Sequence, residues 1–138
     1  MFSDVDMNSP EVRTEYARWG AWYLETTGID GIRIDAVKHI QFSFFREWLD
    51  YMRRVASLNE KGGFFAVGEY WSSNVKELHN YIRATHGKMS LFDVPLHMKF
   101  HEISRANGHY DLRTLLDDTL TKDQPALSVP FVENHDSQ

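Results

Sequence analysis

The sequence predicts an α/β fold of parallel strands, about half of an eight-stranded (β/α) barrel. Three observations point there. Helical and strand-like patterns alternate along the 138 residues. No glycine-rich phosphate loop follows a strand, which disfavours a nucleotide-binding sheet. Acidic residues stand at the ends of three strand-like runs, where a barrel gathers its chemistry.

The elements follow in order. Ser9-Pro10-Glu11 reads as a helix start, with Ser able to cap and Pro tolerated at the first helical position. Val12, Tyr16, Trp19 and Tyr23 recur at helical spacing until Gly28. Gly31-Ile32-Arg33-Ile34-Asp35-Ala36 alternates as a short strand. A second helix runs through Phe45, Leu49 and Met52, flanked by Trp48, and a polar turn covers residues 59–63. Phe64-Phe65-Ala66-Val67-Gly68-Glu69-Tyr70 is the second strand, and Asn74 caps a third helix through Val75, Leu78 and Ile82. Leu91-Phe92-Asp93-Val94 is a weaker third strand, helical patterns cover residues 98–103 and 112–120, and residues 126–132 form the last strand. Regular alternation of this kind implies parallel strands joined by crossover helices. Four such units are about half of a barrel that takes roughly 250 residues when whole.

Composition narrows the function. Hydrophobic residues make up 42% and charged residues 25%, a globular balance. The formal net charge is −5 with no basic tract, which argues against a nucleic-acid partner. No apolar run approaches the roughly 20 residues that span a bilayer, so no membrane partner is expected. There is no cysteine, hence no disulfide or thiolate metal site. The start, Met1-Phe2-Ser3-Asp4-Val5-Asp6, lacks the features of a signal peptide, and the chain stops just after a strand-like run. Both ends are expected to be cuts from something longer. Half a barrel leaves open strand edges, so these residues are not expected to fold stably alone.

The chemistry sits on acids. Arg33 and Asp35 share one face of the first strand, where parallel strands are normally apolar. A structural ion pair would explain that strand alone. Glu69, however, closes the second strand and Asp136 the last, so three acids would converge on one barrel mouth. Neighbouring carboxylates can divide the labour of glycosidic cleavage, one donating a proton and one attacking the anomeric carbon or activating water. They could equally hold a hard metal ion for phosphoester chemistry, and spacing does not separate the two. Arg33 favours the first reading, because a cation beside Asp35 suits a nucleophilic anion.

The same residues resemble a known family. Gly31-Ile32-Arg33-Ile34-Asp35-Ala36-Val37-Lys38-His39-Ile40 resembles the nucleophile segment of α-amylases of the bacterial liquefying type. Val67-Gly68-Glu69-Tyr70-Trp71 resembles their acid/base segment, and Phe131-Val132-Glu133-Asn134-His135-Asp136 their third catalytic segment. Phe92-Asp93-Val94-Pro95-Leu96-His97 is similar to the stretch between those blocks. The likeness runs from end to end in the family's order.

That resemblance implies a partial TIM barrel from the second half of the fold over residues 9–138. Residues 1–8 would end an inserted calcium-binding domain. It implies Asp35 as nucleophile with Arg33 orienting it, Glu69 as general acid and base, and Asp136 as stabiliser of the oxocarbenium-like state. His135 would bind a sugar hydroxyl, Lys38 and His39 would line the leaving-glucan side, and Tyr70 and Trp71 would pack against sugar. The partner would be an α-glucan such as starch, glycogen or maltodextrin, and the complete protein a monomer. Calcium would be held by Asp4 and the backbone carbonyl of His39, and Asp6 would match a ligand of a neighbouring ion. Glu133 departs from the Asp usual in the family, and residues 58–63 form a slightly longer connection. The competing expectations are an oligosaccharide-forming or transglycosylating relative, and a non-catalytic barrel partner. Phe42, Phe45, Trp48 and Met52 are read as helix packing, and Asp117-Asp118 as a solvated face. His79, His86, His97, His101 and His109 receive no functional role.

Overall fold

A computed structural model describes residues 5–59 and 63–137. Four parallel strands lie in the order β1-β2-β3-β4, so each strand is hydrogen-bonded to its sequence neighbour. They are β1 Gly31–Ile34, β2 Phe65–Gly68, β3 Ser90–Phe92 and β4 Ser128–Val129. The α-helices are α1 Pro10–Thr27, α2 Phe42–Leu58, α3 Val75–Ala84, α4 Val94–Arg105 and α5 Leu120–Asp123.

Local signals account for most boundaries. Ser9 Oγ accepts from the Val12 N–H at the start of α1, and Gly28 ends it in the left-handed region at φ 67°. Asn74 caps α3 through the Lys76 N–H. On α2 the repeat Phe45, Leu49, Met52 and Ala56 is buried, with Phe44 and Trp48 beside it. This face packs on the sheet together with Leu24, Ala66, Leu78 and Leu91, forming one apolar core. Complete burial of a side chain such as Leu49 contributes about 2 kcal/mol. Phe42 differs from its expected packing role. It is exposed, with the Arg46 guanidinium 5.4 Å from its ring centroid.

Gly31 lets β1 and β2 approach closely. A Cβ there would meet the Phe65 carbonyl oxygen at 2.7 Å, so any side chain would push on backbone. The register pairs Gly31 with Phe65, Arg33 with Val67 and Ile34 with Gly68. One step further along, Asp35 and Glu69 are side by side at the carboxyl ends of neighbouring strands.

Three expectations from sequence need correction. Val94 belongs to α4 and not to the third strand, because Pro95 sits in the first helical turn and Asp93 Oδ1 accepts from the Leu96 N–H. Residues 112–120 form no continuous helix. A 3-10 turn, Leu112–Thr114, is followed by Asp118 at φ 51° and by Thr119, which caps α5. The last strand is also shorter than expected. Pro125–Leu127 is a 3-10 turn, and only Ser128–Val129 pairs. Pro130 then offers no N–H to prolong the ladder.

Candidate active site

The site forms where β1 and β2 end. Arg33 Nη1 lies 2.8 Å from Asp35 Oδ1, and its Nη2 lies 3.0 Å from Glu69 Oε1. One guanidinium therefore ties both acids together. Asp35 is largely solvent-facing at 68% side-chain exposure, while Glu69 is nearly buried at 9%. Glu69 Oε1 is a buried oxygen without an aligned hydrogen-bond donor, so its contact with Arg33 is ionic and not directional.

The other Glu69 oxygen has a backbone partner that sequence reading missed. The Glu69 N–H donates to the Ile34 carbonyl at 2.8 Å, as a parallel ladder requires. In a regular ladder the next donation, to the Glu69 carbonyl, would come from Ala36. It comes instead from the Val37 N–H at 3.0 Å. Ala36, at φ 48°, is turned out of the ladder as in a bulge, and its N–H donates to Glu69 Oε2 at 3.2 Å. A left-handed alanine has no composition or periodicity signal.

Asp136 arrives differently from the expectation that it closes a strand. It lies beyond β4, in a turn where its N–H donates to Asn134 Oδ1 at 2.6 Å and the Ser137 N–H donates to the Asn134 carbonyl. Nevertheless it lines a cleft of ≈ 330 Å³ together with Glu69, Lys38, His39, Ala36 and Trp71. A second cleft of ≈ 340 Å³ shares Glu69 and Trp71 and adds Arg33, Phe131, Asn134 and His135. Volumes of this size suit a small ligand. Lys38 Nζ donates to the Trp71 carbonyl at 3.0 Å, and His135 Nε2 is 3.6 Å from Asp136 Oδ2. Tyr70 stands apart from both clefts. Its ring lies 4.9 Å from that of Tyr81 against the core, where burial, and to a lesser extent Glu77, raises its phenol above the ordinary value.

A larger cleft, ≈ 600 Å³, lies on α1 beside Tyr16, Trp19 and Trp22. Its only acid, Glu15, is paired with Arg18 at 2.6 Å. Polar groups converge instead on the two smaller clefts.

Calcium fares less well. Asp4 lies outside the described residues. Asp6 Oδ1 accepts from the Asn8 N–H at 2.9 Å, an exposed turn of its own. Among the described residues no three His, Asp or Glu side chains gather as a metal site. Calcium takes six to eight oxygens, so Asp6 and the His39 carbonyl do not make a site.

Comparison with known proteins shows the family and the fold. Residues 1–138 match the family described as alpha amylase, catalytic domain. Over 138 residues the chain is 54% identical to the alpha-amylase of Geobacillus stearothermophilus, covering 100% of this chain and 24% of that protein. It is 44% identical over 138 residues to the glucan 1,4-alpha-maltohexaosidase of Bacillus sp. (strain 707), covering 100% of this chain and 26% of that protein. The crystal structure of an Anoxybacillus alpha-amylase matches with a TM-score of 0.78 at 26% identity, covering 98% of this chain and 29% of that one. The chain thus spans about a quarter of the length of the curated relatives it matches.

Proposed function

The chain belongs to the alpha-amylase catalytic-domain family, and on that premise we propose that its rim carboxylates hydrolyse internal α-1,4-glucosidic bonds of starch-like glucans with retention. The observation that carries the reading is the Arg33 bridge, 2.8 Å to Asp35 and 3.0 Å to Glu69. Side-by-side parallel strands are about 4.8 Å apart. That spacing supports the closely set carboxylate pair of a retaining enzyme, about 5–5.5 Å, over the wider pair of an inverting one.

In the proposed cycle Asp35 attacks the anomeric carbon as the bond to the leaving oxygen breaks, and Glu69 gives that oxygen its proton. A covalent glycosyl ester on Asp35 results. Glu69, now a carboxylate, takes a proton from water as the water's oxygen attacks the same carbon. Asp35 is released, and Glu69 is protonated again. Asp136, with His135 beside it, holds sugar hydroxyls and stabilises the positive charge that develops on the ring. Lys38, His39 and Trp71 line the side that receives the leaving glucan. Arg33 fixes the attacking oxygen and neutralises the anion between attacks. Residues 1–8 are assigned to the end of an inserted domain, whose further oxygens would complete any calcium site.

The relative named for maltohexaose release favours a second reading, in which one product length predominates. A chromatographic product profile from starch separates a graded series from a single dominant oligosaccharide.

The test of the leading reading is Asp35→Asn in the full-length protein. Starch hydrolysis is expected to vanish with the circular dichroism spectrum unchanged, and proton NMR of the parent is expected to show the α-anomer first. Substantial activity in the variant, or the β-anomer first, contradicts it.

A further inference from the structure

His97 lies outside both clefts, yet it touches two of the rings that wall them. It is buried, at 4% exposure, among Val94, Pro95 and Leu96 at the start of α4. Its ring stacks on Phe131 at 4.5 Å and 11°, and stands 5.8 Å from the Trp71 ring. Its Nδ1 lies 2.9 Å from the Val132 carbonyl oxygen. A carbonyl only accepts, so Nδ1 carries the proton and donates it.

We infer that His97 is a positioning residue that clamps the segment from Phe131 to Asp136 against the catalytic rim. The need for a clamp is visible in the backbone. Beyond Val129 the ladder with β3 has ended, and Val132 is 72% exposed. Among the described residues, the segment that delivers Asn134, His135 and Asp136 to the clefts is therefore not held by pairing with β3. The Val132 carbonyl is its first anchor after the strand, and His97 supplies it.

The anchor is itself fixed. Asp93, fully buried, is hydrogen-bonded on both oxygens. Oδ1 accepts from the Leu96 N–H at 3.1 Å, while Oδ2 accepts from the Thr121 N–H at 2.6 Å and from Ser128 Oγ at 3.4 Å. Its own N–H donates to the Val129 carbonyl at 3.0 Å. The start of α4 is thus locked to β4, and His97 rides on that lock one turn later. Through Trp71, the same ring meets the stretch that carries Glu69. A single side chain then backs both the acid/base and the third carboxylate.

The catalytic consequence rests on the proposed hydrolysis, but the clamp itself can be read without it. Two variants of the full-length protein separate its parts. His97→Phe keeps a ring on Phe131 and removes the donor. His97→Asn places an amide nitrogen where Nδ1 was and removes the ring. Hydrogen exchange of peptides covering residues 130–136 is expected to quicken at least tenfold in His97→Phe and to stay near the parent in His97→Asn. Starch kcat should fall about 30-fold in His97→Phe with KM within twofold, and stay within about threefold of the parent in His97→Asn. Thermal midpoints should run the other way, since the ring contributes most of the burial. A role in packing alone would make activity loss follow the melting temperature, with His97→Asn the worse of the two. That order, or unchanged exchange in His97→Phe, overturns the inference. Lack of starch hydrolysis by the parent would sink the proposed function and leave exchange to decide the clamp.

Discussion

Arg33 Nη2 stands 3.0 Å from Glu69 Oε1 across the β1–β2 junction, while the other guanidinium nitrogen holds Asp35. A planar fork is what lets one residue serve two acids at once. An ammonium is a point charge and can favour one acid or the other.

The first prediction follows from that shape. Arg33→Lys is expected to lower kcat/KM about 100-fold, close to 3 kcal/mol of transition-state stabilisation. Stability should change by under about 1 kcal/mol, because lysine keeps a positive charge beside the nearly buried Glu69 and the ion pair with Asp35 is largely solvent-exposed. Steady-state kinetics and a denaturant titration on the full-length protein read both. A loss of stability matching the loss of rate would make Arg33 a structural residue.

Ala36 invites the second. Its φ of 48° is costly for a branched side chain, and its N–H is committed to Glu69 Oε2. Ala36→Val is expected to cost about 1–2 kcal/mol of stability and to lower kcat. Ala36→Gly, which adopts this conformation freely, should keep most activity and lie within about 1 kcal/mol of the parent. Equal damage from both substitutions would show that backbone conformation is not the cause.

The third concerns alkaline pH. Tyr81 O–H donates to the Val37 carbonyl at 3.2 Å. Burial, with a smaller contribution from Tyr70, pushes its phenol well above the ordinary tyrosine value. The folded state therefore keeps a proton that the unfolded chain releases near pH 10. Stability is fully present below that value and falls as pH rises beyond it. Urea midpoints between pH 8 and 11.5 should drop steeply past pH 10. Tyr81→Phe should begin about 1 kcal/mol less stable, through the lost hydrogen bond, and show a shallower decline. An unchanged slope would remove Tyr81 from the alkaline transition.

Much of the fold was legible because its signals are local. Ser9, Asn74 and Gly28 mark helix ends by their own chemistry, and the Phe45, Leu49, Met52 repeat marks the buried face of α2. Legibility failed where distant contacts decide. Residues 112–120 have helical spacing, yet Leu112 and Leu116 remain exposed, with no packed face to support a helix. Val94 follows an apolar strand and looks like more of it, but Asp93 caps a helix there instead.

The site divides in the same way. Asp35 and Glu69 were readable as strand-end acids, because register and alternation bring them together. Asp136 owes its place to a turn built by Asn134, which alternation does not describe. His97 reads in the sequence as one histidine among several, since its partners Phe131 and Val132 lie far along the chain. The available hint was a polar ring inside the apolar run Val94-Pro95-Leu96-His97.

The central claim is that Asp35 forms the covalent bond to sugar. Its most direct test is trapping with a fluorinated glucosyl fluoride that enters the intermediate faster than it leaves, followed by peptide mass spectrometry of the full-length protein. A single glycosyl adduct on Asp35 is the predicted result. An adduct on Glu69 or Asp136, or continued turnover with Asp35 unlabelled, would contradict it.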